Sequence, residues 1–272
     1  MCGRFAVTVD PALLAAQLDA VDETTAADRT APNYNPRNYN VAPTTPIVTV
    51  VRRHGDPEQP PDEPVALDTP RGAATRRVRL MRWGLVPHWA KPGPDGAPQT
   101  TRLLINARAD NATTSPAFRA ATRARRCLVP MDGWYEWRAE PPTAAAGRAT
   151  RARKTPFYLS RTDGTPLMMA GLWSVWRADE RSAPLLSCAI ITTDAVGPLA
   201  EVHDRMPLPI AESDWDAWLD PDVAADPALL AGVPDVAAIT AREVSTLVNN
   251  VRNNGPQLLD PPEPRPWQPT LL

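Results

Sequence analysis

Short apolar and β-branched runs, set apart by turns rich in proline, glycine and asparagine, recur along this chain, and few stretches keep a helical period. Residues 4–9 read as a first strand, and Asp10-Pro11 as a helix cap followed by proline at the first helical position. Leu13, Leu14, Leu18 and Val21 then form one apolar helical stripe, and the polar, turn-rich residues 22–38 a loop. The run 47–51, Ile-Val-Thr-Val-Val, predicts a strand. Residues 54–72, dense in proline and acid, predict a hairpin tip or surface loop, and 78–83 another strand. Residues 103–105 read as a strand end that turns at 106–110 into a helix running to 124. Two β segments, 127–130 and 134–137, are joined by Met131-Asp132-Gly133, and residues 139–154 read as an inserted loop. Strands recur at 157–160, 167–176 and 186–192, with helical pieces at 196–202 and 213–219. From residue 236 onward come one more strand and the segment 248–255, Val-Asn-Asn-Val-Arg-Asn-Asn-Gly.

Many short strands, few helices and no regular βαβ alternation predict an α+β fold. Its core should be a strongly curved, mostly antiparallel, β-barrel-like sheet with peripheral helices. No linker divides the chain, so a single domain is expected over residues 2–262, followed by a proline-rich tail at 263–272.

Composition narrows the chemistry. A chain of 272 residues, 43% hydrophobic, can bury a substantial core, yet runs such as 185–191 are too short to span a bilayer. No apolar signal segment opens the chain, so a cytoplasmic protein with no membrane partner is expected. Three cysteines, at 2, 127 and 188, form no CxxC pair, and three histidines, at 54, 88 and 203, are scattered, so neither a metal nor a cofactor is expected. Although the net charge is only −2, arginines cluster at 71, 76, 77, 79 and 82 and again at 119, 123, 125 and 126. Such clusters can make a local phosphate-binding face or an ordinary solvated surface. Only two of the 29 basic residues are lysines, Lys91 and Lys154. Arginine cannot form a Schiff base, so an amine that attacks carbonyls here would be the chain terminus, whose pKa near 8 leaves some free base at neutral pH.

That terminus is unusual. The chain starts Met1-Cys2-Gly3-Arg4, and a small second residue favours removal of the initiator methionine. Cys2 would then carry an amine and a thiol on adjacent carbons, a pair that closes on an aldehyde to a five-membered thiazolidine. Three distant polar residues sit in apolar or aromatic settings that suit a supporting site: Asn106 after Leu-Leu-Ile, Glu136 between Tyr135 and Trp137, and His203 before Asp204-Arg205. A carboxyl with apolar neighbours tends to a raised pKa and histidine titrates near 7, so both suit proton transfer. Glu136 could also face solvent by strand alternation, and each of the others has a purely structural alternative. Trp83, Trp89, Trp134 and Trp137 offer flat faces for stacking bases, or core.

Taken in order, Met-Cys-Gly-Arg-Phe at the start, Tyr-Asn-Val-Ala-Pro-Thr at 39–44, Trp-Gly-Leu-Val-Pro at 83–87, Asn-Ala-Arg at 106–108, Arg-Cys-Leu-Val-Pro and Gly-Trp-Tyr-Glu-Trp within 126–137, and His-Asp-Arg-Met-Pro at 203–207 resemble the SRAP family of SOS-response-associated peptidases and abasic-site processing proteins. The resemblance spans residues 2 to about 262. It implies a partner, single-stranded DNA containing abasic sites, including strand junctions, bound by a monomer. It also implies a thiazolidine crosslink between Cys2 and the ring-opened deoxyribose, with weak lyase and self-processing peptidase activity beside it. By the same resemblance Asn106 orients the sugar, Glu136 is the acid–base residue and His203 stands beside the sugar and its 3′ phosphate. Arg4, Arg108 and Arg205 contact phosphates, Trp89 wedges or stacks at the lesion, and Asn40 and Thr192 line the groove. One position departs from the pattern: Asp110 stands where many relatives carry glutamate. An amidohydrolase with an N-terminal nucleophile, or a non-enzymatic single-strand-binding module, are the competing readings.

Overall fold

The computed structural model describes residues 2–31, 34–55, 72–140 and 153–263. The tip of the 54–72 stretch, most of the 139–154 insertion, Arg71 and the tail beyond 263 lie outside the described residues. Thirteen strands are present among those described: β1 (Phe5–Val7), β2 (Val21–Asp22), β3 (Asn38–Val41), β4 (Pro46–Arg53), β5 (Thr75–Trp83), β6 (Asn106–Arg108), β7 (Arg126–Met131), β8 (Gly133–Ala139), β9 (Lys154–Arg161), β10 (Leu167–Trp176), β11 (Leu185–Asp194), β12 (Arg205–Pro207) and β13 (Ile239–Glu243).

Five of them close a ring. β5 pairs with β4, β4 with β7 through Val50 and Leu128, β7 with β10, and β10 with β11, all antiparallel. β11 returns to β5 in parallel at Ser187–Arg82 and Cys188–Trp83. Closure leaves no free edge in the ring, and it crowds the interior. A Cβ at Gly171 on β10 would stand 2.7 Å from Cys127 Sγ, so only glycine fits there. A second sheet, ordered β13-β9-β8-β1-β3, packs beside the ring. The expected α+β fold with a curved, mostly antiparallel, barrel-like core in a single domain is the fold observed.

The two sheets share a core that begins at residue 2. Cys2, Phe5, Val41, Trp83, Trp134 and Ile190 belong to one buried cluster, and Phe5 meets Trp83 edge-to-face at 5.1 Å. The chain start is therefore threaded into the interior, not frayed.

Several sequence expectations change. The helix Pro11–Gln17 is capped by Asp10 as expected, but it buries Pro11, Leu14 and Ala15 and leaves Leu13 64% exposed. The polar stretch 22–38 holds the end of β2 and a helix, Ala26–Arg29, closed by a Thr25–Asp28 capping box. Residues 106–108 form a strand, not a helix start, because their backbone pairs with Ile190–Thr192 of β11; the only α-helix in that region is Ala121–Ala124.

The arginine clusters do not form a continuous basic face. Arg77 and Arg79, two apart on β5 and so on one side of it, are buried and share Glu23. Arg76 pairs with Asp216. Arg126 is buried and donates to the carbonyls of Thr122, Trp218, Asp220 and Val223. Arg125 lies over Trp173. Only Arg119 and Arg123 of the second cluster are exposed. Most of these arginines tie loops to the core. Among the tryptophans, Trp83 and Trp134 are fully buried, while Trp89 is 60% exposed.

Candidate active site

Cys2 lies one turn of chain before β1, wholly buried, and its carbonyl accepts a 2.7 Å hydrogen bond from Asn106 Nδ2. Asn106 opens β6, whose parallel pairing with β11 sets it opposite Ile190. Trp83 fixes the same spot from the other side by donating its indole N–H to Ile105 O at 2.9 Å. Asn106 Oδ1 is buried without a hydrogen-bond partner among the described residues. A buried acceptor left without a partner is uncommon in a folded protein.

Glu136 does not face solvent, because both faces of β8 are covered. Trp134 packs into the cluster that contains Cys2, and Tyr135 on the opposite face packs against Ala6, Tyr158 and Val248. Glu136 is 3% exposed, and burial raises its pKa to about 7. His203 follows the 3-10 turn Gly197–Glu201 and places Nε2 4.0 Å from Glu136 Oε2. Its Nδ1 accepts the Arg205 N–H at 3.0 Å, with Asp204 Oδ1 at 2.8 Å. Only the Nε2–H tautomer accepts from Arg205 and only the Nδ1–H tautomer donates to Asp204, so the neutral ring has a partner in either form. Burial lowers the His203 pKa, so the neutral form prevails at pH 7.

A nearby cation or helix N-terminus would favour thiolate, but burial first and the Glu136 charge second push the Cys2 pKa up. The resting group is the thiol, and it needs a base when it reacts.

Around this centre the remaining residues take distinct places. Arg4 is half-buried and donates from Nη1 to Asn40 Oδ1 (2.7 Å) and Val248 O (3.0 Å), with its guanidinium 5.8 Å from the Trp137 ring. Asn40 is 3% exposed, and its amide nitrogen bonds the carbonyls of Asn250 (3.0 Å) and Asn253 (2.9 Å). The asparagine-rich segment 248–254 had no evident role in the sequence, and here it clasps the chain start. β6 and β12 both pair with the end of β11, which brings Arg108 and Arg205 to one region. Arg108 is exposed and forked on Asp110 through Nε (3.0 Å) and Nη2 (2.5 Å). Arg205 is nearly buried, pairs with Asp194 at 2.5 Å and donates to Thr192 O at 2.7 Å. Thr192 is fully buried beneath it, so its side chain lines no groove. Trp89 stands exposed on the loop after β5. Sequence reasoning missed Asp194 and the carbonyls that hold Arg4 and Asn40, since nothing in a sequence marks a backbone oxygen.

Among the described residues, no group of three His, Cys, Asp or Glu side chains could hold a metal ion, and no helix is long and apolar enough to cross a membrane.

The family model described as SOS response associated peptidase (SRAP) matches residues 1–251. The chain belongs to the SRAP family. The SRAP match is supported along nearly the whole chain by relatives. The abasic site processing protein YoqW of Bacillus subtilis is 31% identical over 266 residues, covering 96% of this chain and 99% of its own. YedK of Escherichia coli, another abasic site processing protein, is 30% identical over 273 residues, 96% of this chain and 100% of its own. A crystal structure of a Bacteroides thetaiotaomicron protein superposes on the SRAP fold with a TM-score of 0.71 over 96% of this chain and 99% of that one, at 21% identity.

Proposed function

We propose that this protein captures abasic deoxyribose in single-stranded DNA as a covalent thiazolidine on Cys2, freed of Met1. The observation that carries the reading is the bond from Asn106 to the Cys2 carbonyl, with Glu136 and His203 beside it. Its relatives' names point to the same lesion.

The chemistry follows from the side chains. An abasic sugar is mostly a closed hemiacetal, and opening it moves one proton off the anomeric hydroxyl and one onto the ring oxygen. Glu136, with a pKa of about 7, holds both protonation states near neutrality and can serve either need, while the neutral His203 ring stands alongside with Nε2 4.0 Å from its carboxyl. The neutral α-amine adds to the aldehyde, and a proton from the Glu136 carboxylic acid to the carbinolamine hydroxyl releases one water and leaves a protonated imine and a Glu136 carboxylate. The Cys2 thiol gives its proton to the Glu136 carboxylate, and its sulfur bonds the imine carbon. Asn106 holds the Cys2 backbone so that amine and thiol address one carbon, and effective molarity favours closure. The same imine acidifies the neighbouring carbon, so slow β-elimination is a side reaction. The peptidase label fits release of Met1 from this same terminus. Arg4, Arg108 and Arg205 serve as phosphate contacts, and Trp89 as the exposed stacking face.

The test is a denaturing gel of protein incubated with abasic single strand, abasic duplex and intact single strand. A stable adduct forms with abasic single strand and is lost in Cys2→Ala. An undiminished adduct in Cys2→Ala would refute the reading.

A further inference from the structure

Beside the chain start lies a cavity of about 360 Å³, walled by β3, the turn after it and the segment around Asn254. No charged side chain lines it; Asn35, Asn38, Asn40, Thr44, Thr45 and Asn254 supply its polar wall. A neutral polar cavity of this size does not suit a phosphate or carboxylate. It suits a flat ligand with several hydrogen-bonding edge atoms.

The groups left for such a ligand are mostly donors. Asn35 and Asn38 each use the side-chain oxygen on their own turn, accepting from Arg37 N and Asn40 N. Their NH2 groups have no partner among the described residues, and neither do the Thr44 and Thr45 hydroxyls. Thr44 sits at φ 76°, a left-handed conformation that a β-branched residue rarely adopts. It is held there by Thr44 N–H to Trp83 O at 2.7 Å, while Trp83 N–H bonds Thr45 O at 2.9 Å. Strain kept at an exposed residue on a cavity rim marks a functional constraint.

Two bonded paths join this cavity to the reactive terminus. One runs from Asn40 to Arg4, two residues past Cys2; the other runs from Thr44 and Thr45 through Trp83 to Ile105 O, next to Asn106. Arg4 has no carboxylate partner among the described residues, so a half-buried cation stands just behind the Asn40 wall.

We propose that this cavity takes the base of the nucleotide adjoining the abasic site and reads its carbonyl-bearing edge, favouring thymine or guanine over adenine. The inference rests on the abasic-site reading above. Donor amides meet the carbonyl oxygens of thymine and guanine, whereas adenine offers none.

Eight abasic single strands test it, with each base in turn on the 5′ side and on the 3′ side. Single-turnover adduct formation and equilibrium binding of the matching tetrahydrofuran-site strands are both measured. On one side only, thymine or guanine is expected to exceed adenine by about fivefold or more in both measurements. Asn35→Ala and Thr44→Gly are expected to erase that preference. Thr44→Gly should also raise the melting temperature, since glycine relieves the backbone there, which shows that the variant is folded. Equal values for all eight strands, or a preference that survives both variants, overturns the inference. Absence of any adduct refutes the crosslinking reading, and the binding series then still decides the base preference. No binding of any strand overturns both.

Discussion

Glu136 ionises in a place where the fold disfavours it. Its folded pKa of about 7 lies above the ordinary carboxyl value of 4.5, so between those two values the unfolded chain has lost a proton that the folded chain keeps. Stability therefore falls as pH rises through that window and levels off above it, by about 3 kcal/mol in all. Glu136→Gln is expected to remove the slope: the variant melts above the parent at pH 8 and level with it at pH 4.5, as calorimetry across pH would show. The same variant should form adduct at least about 100-fold more slowly and bind intact strand almost as before. An equal loss of plain DNA binding would make Glu136 structural.

At the scale of elements, the site depends on short strands held by neighbours. β6 has three residues, and only its pairing with β11 and the Trp83 bond to Ile105 O keep Asn106 opposite Cys2. Arg126 plays the corresponding part on the far side, where it gathers four carbonyls around the helix Trp215–Leu219. Arg126→Met leaves those buried acceptors unmet and is expected to lower unfolding free energy by about 3 kcal/mol, read by urea denaturation. The folded fraction should still form adduct at the parent rate. The β-branched run of β4 and the Asp10-Pro11 cap were legible in the sequence, because local pattern decides both. So were Asn106, Glu136 and His203, as polar residues in apolar settings. Residues 106–124 were not, because a pairing with β11 outweighs local helix signals. Nor were the arginine clusters, whose carbonyl and carboxylate partners lie far away in sequence. The strained Thr44 and the clasp of 248–254 on Arg4 exist only once the chain is folded.

Across the whole molecule, the net charge is −2, and Arg77, Arg79, Arg126 and Arg205 are buried. If Arg4, Arg108 and Arg205 each meet one phosphate, log affinity for single strand should fall against log salt with a slope of about −2. Arg108→Ala should reduce that slope by about 0.7, equally for abasic and intact strands, in a fluorescence anisotropy titration. A slope far steeper than this would place the DNA on a face other than the one around Cys2. Cys2 is buried at the chain start, and loss of Met1 would put amine and thiol on that one residue. The most direct measurement is the intact mass of the adduct with abasic single strand, taken for the native chain and for one extended by a residue ahead of Cys2 that cannot be removed. The native chain should give protein without Met1, plus DNA, minus one water, and the extended chain should give no stable adduct. Equal adduct from the extended chain would contradict the aminothiol mechanism.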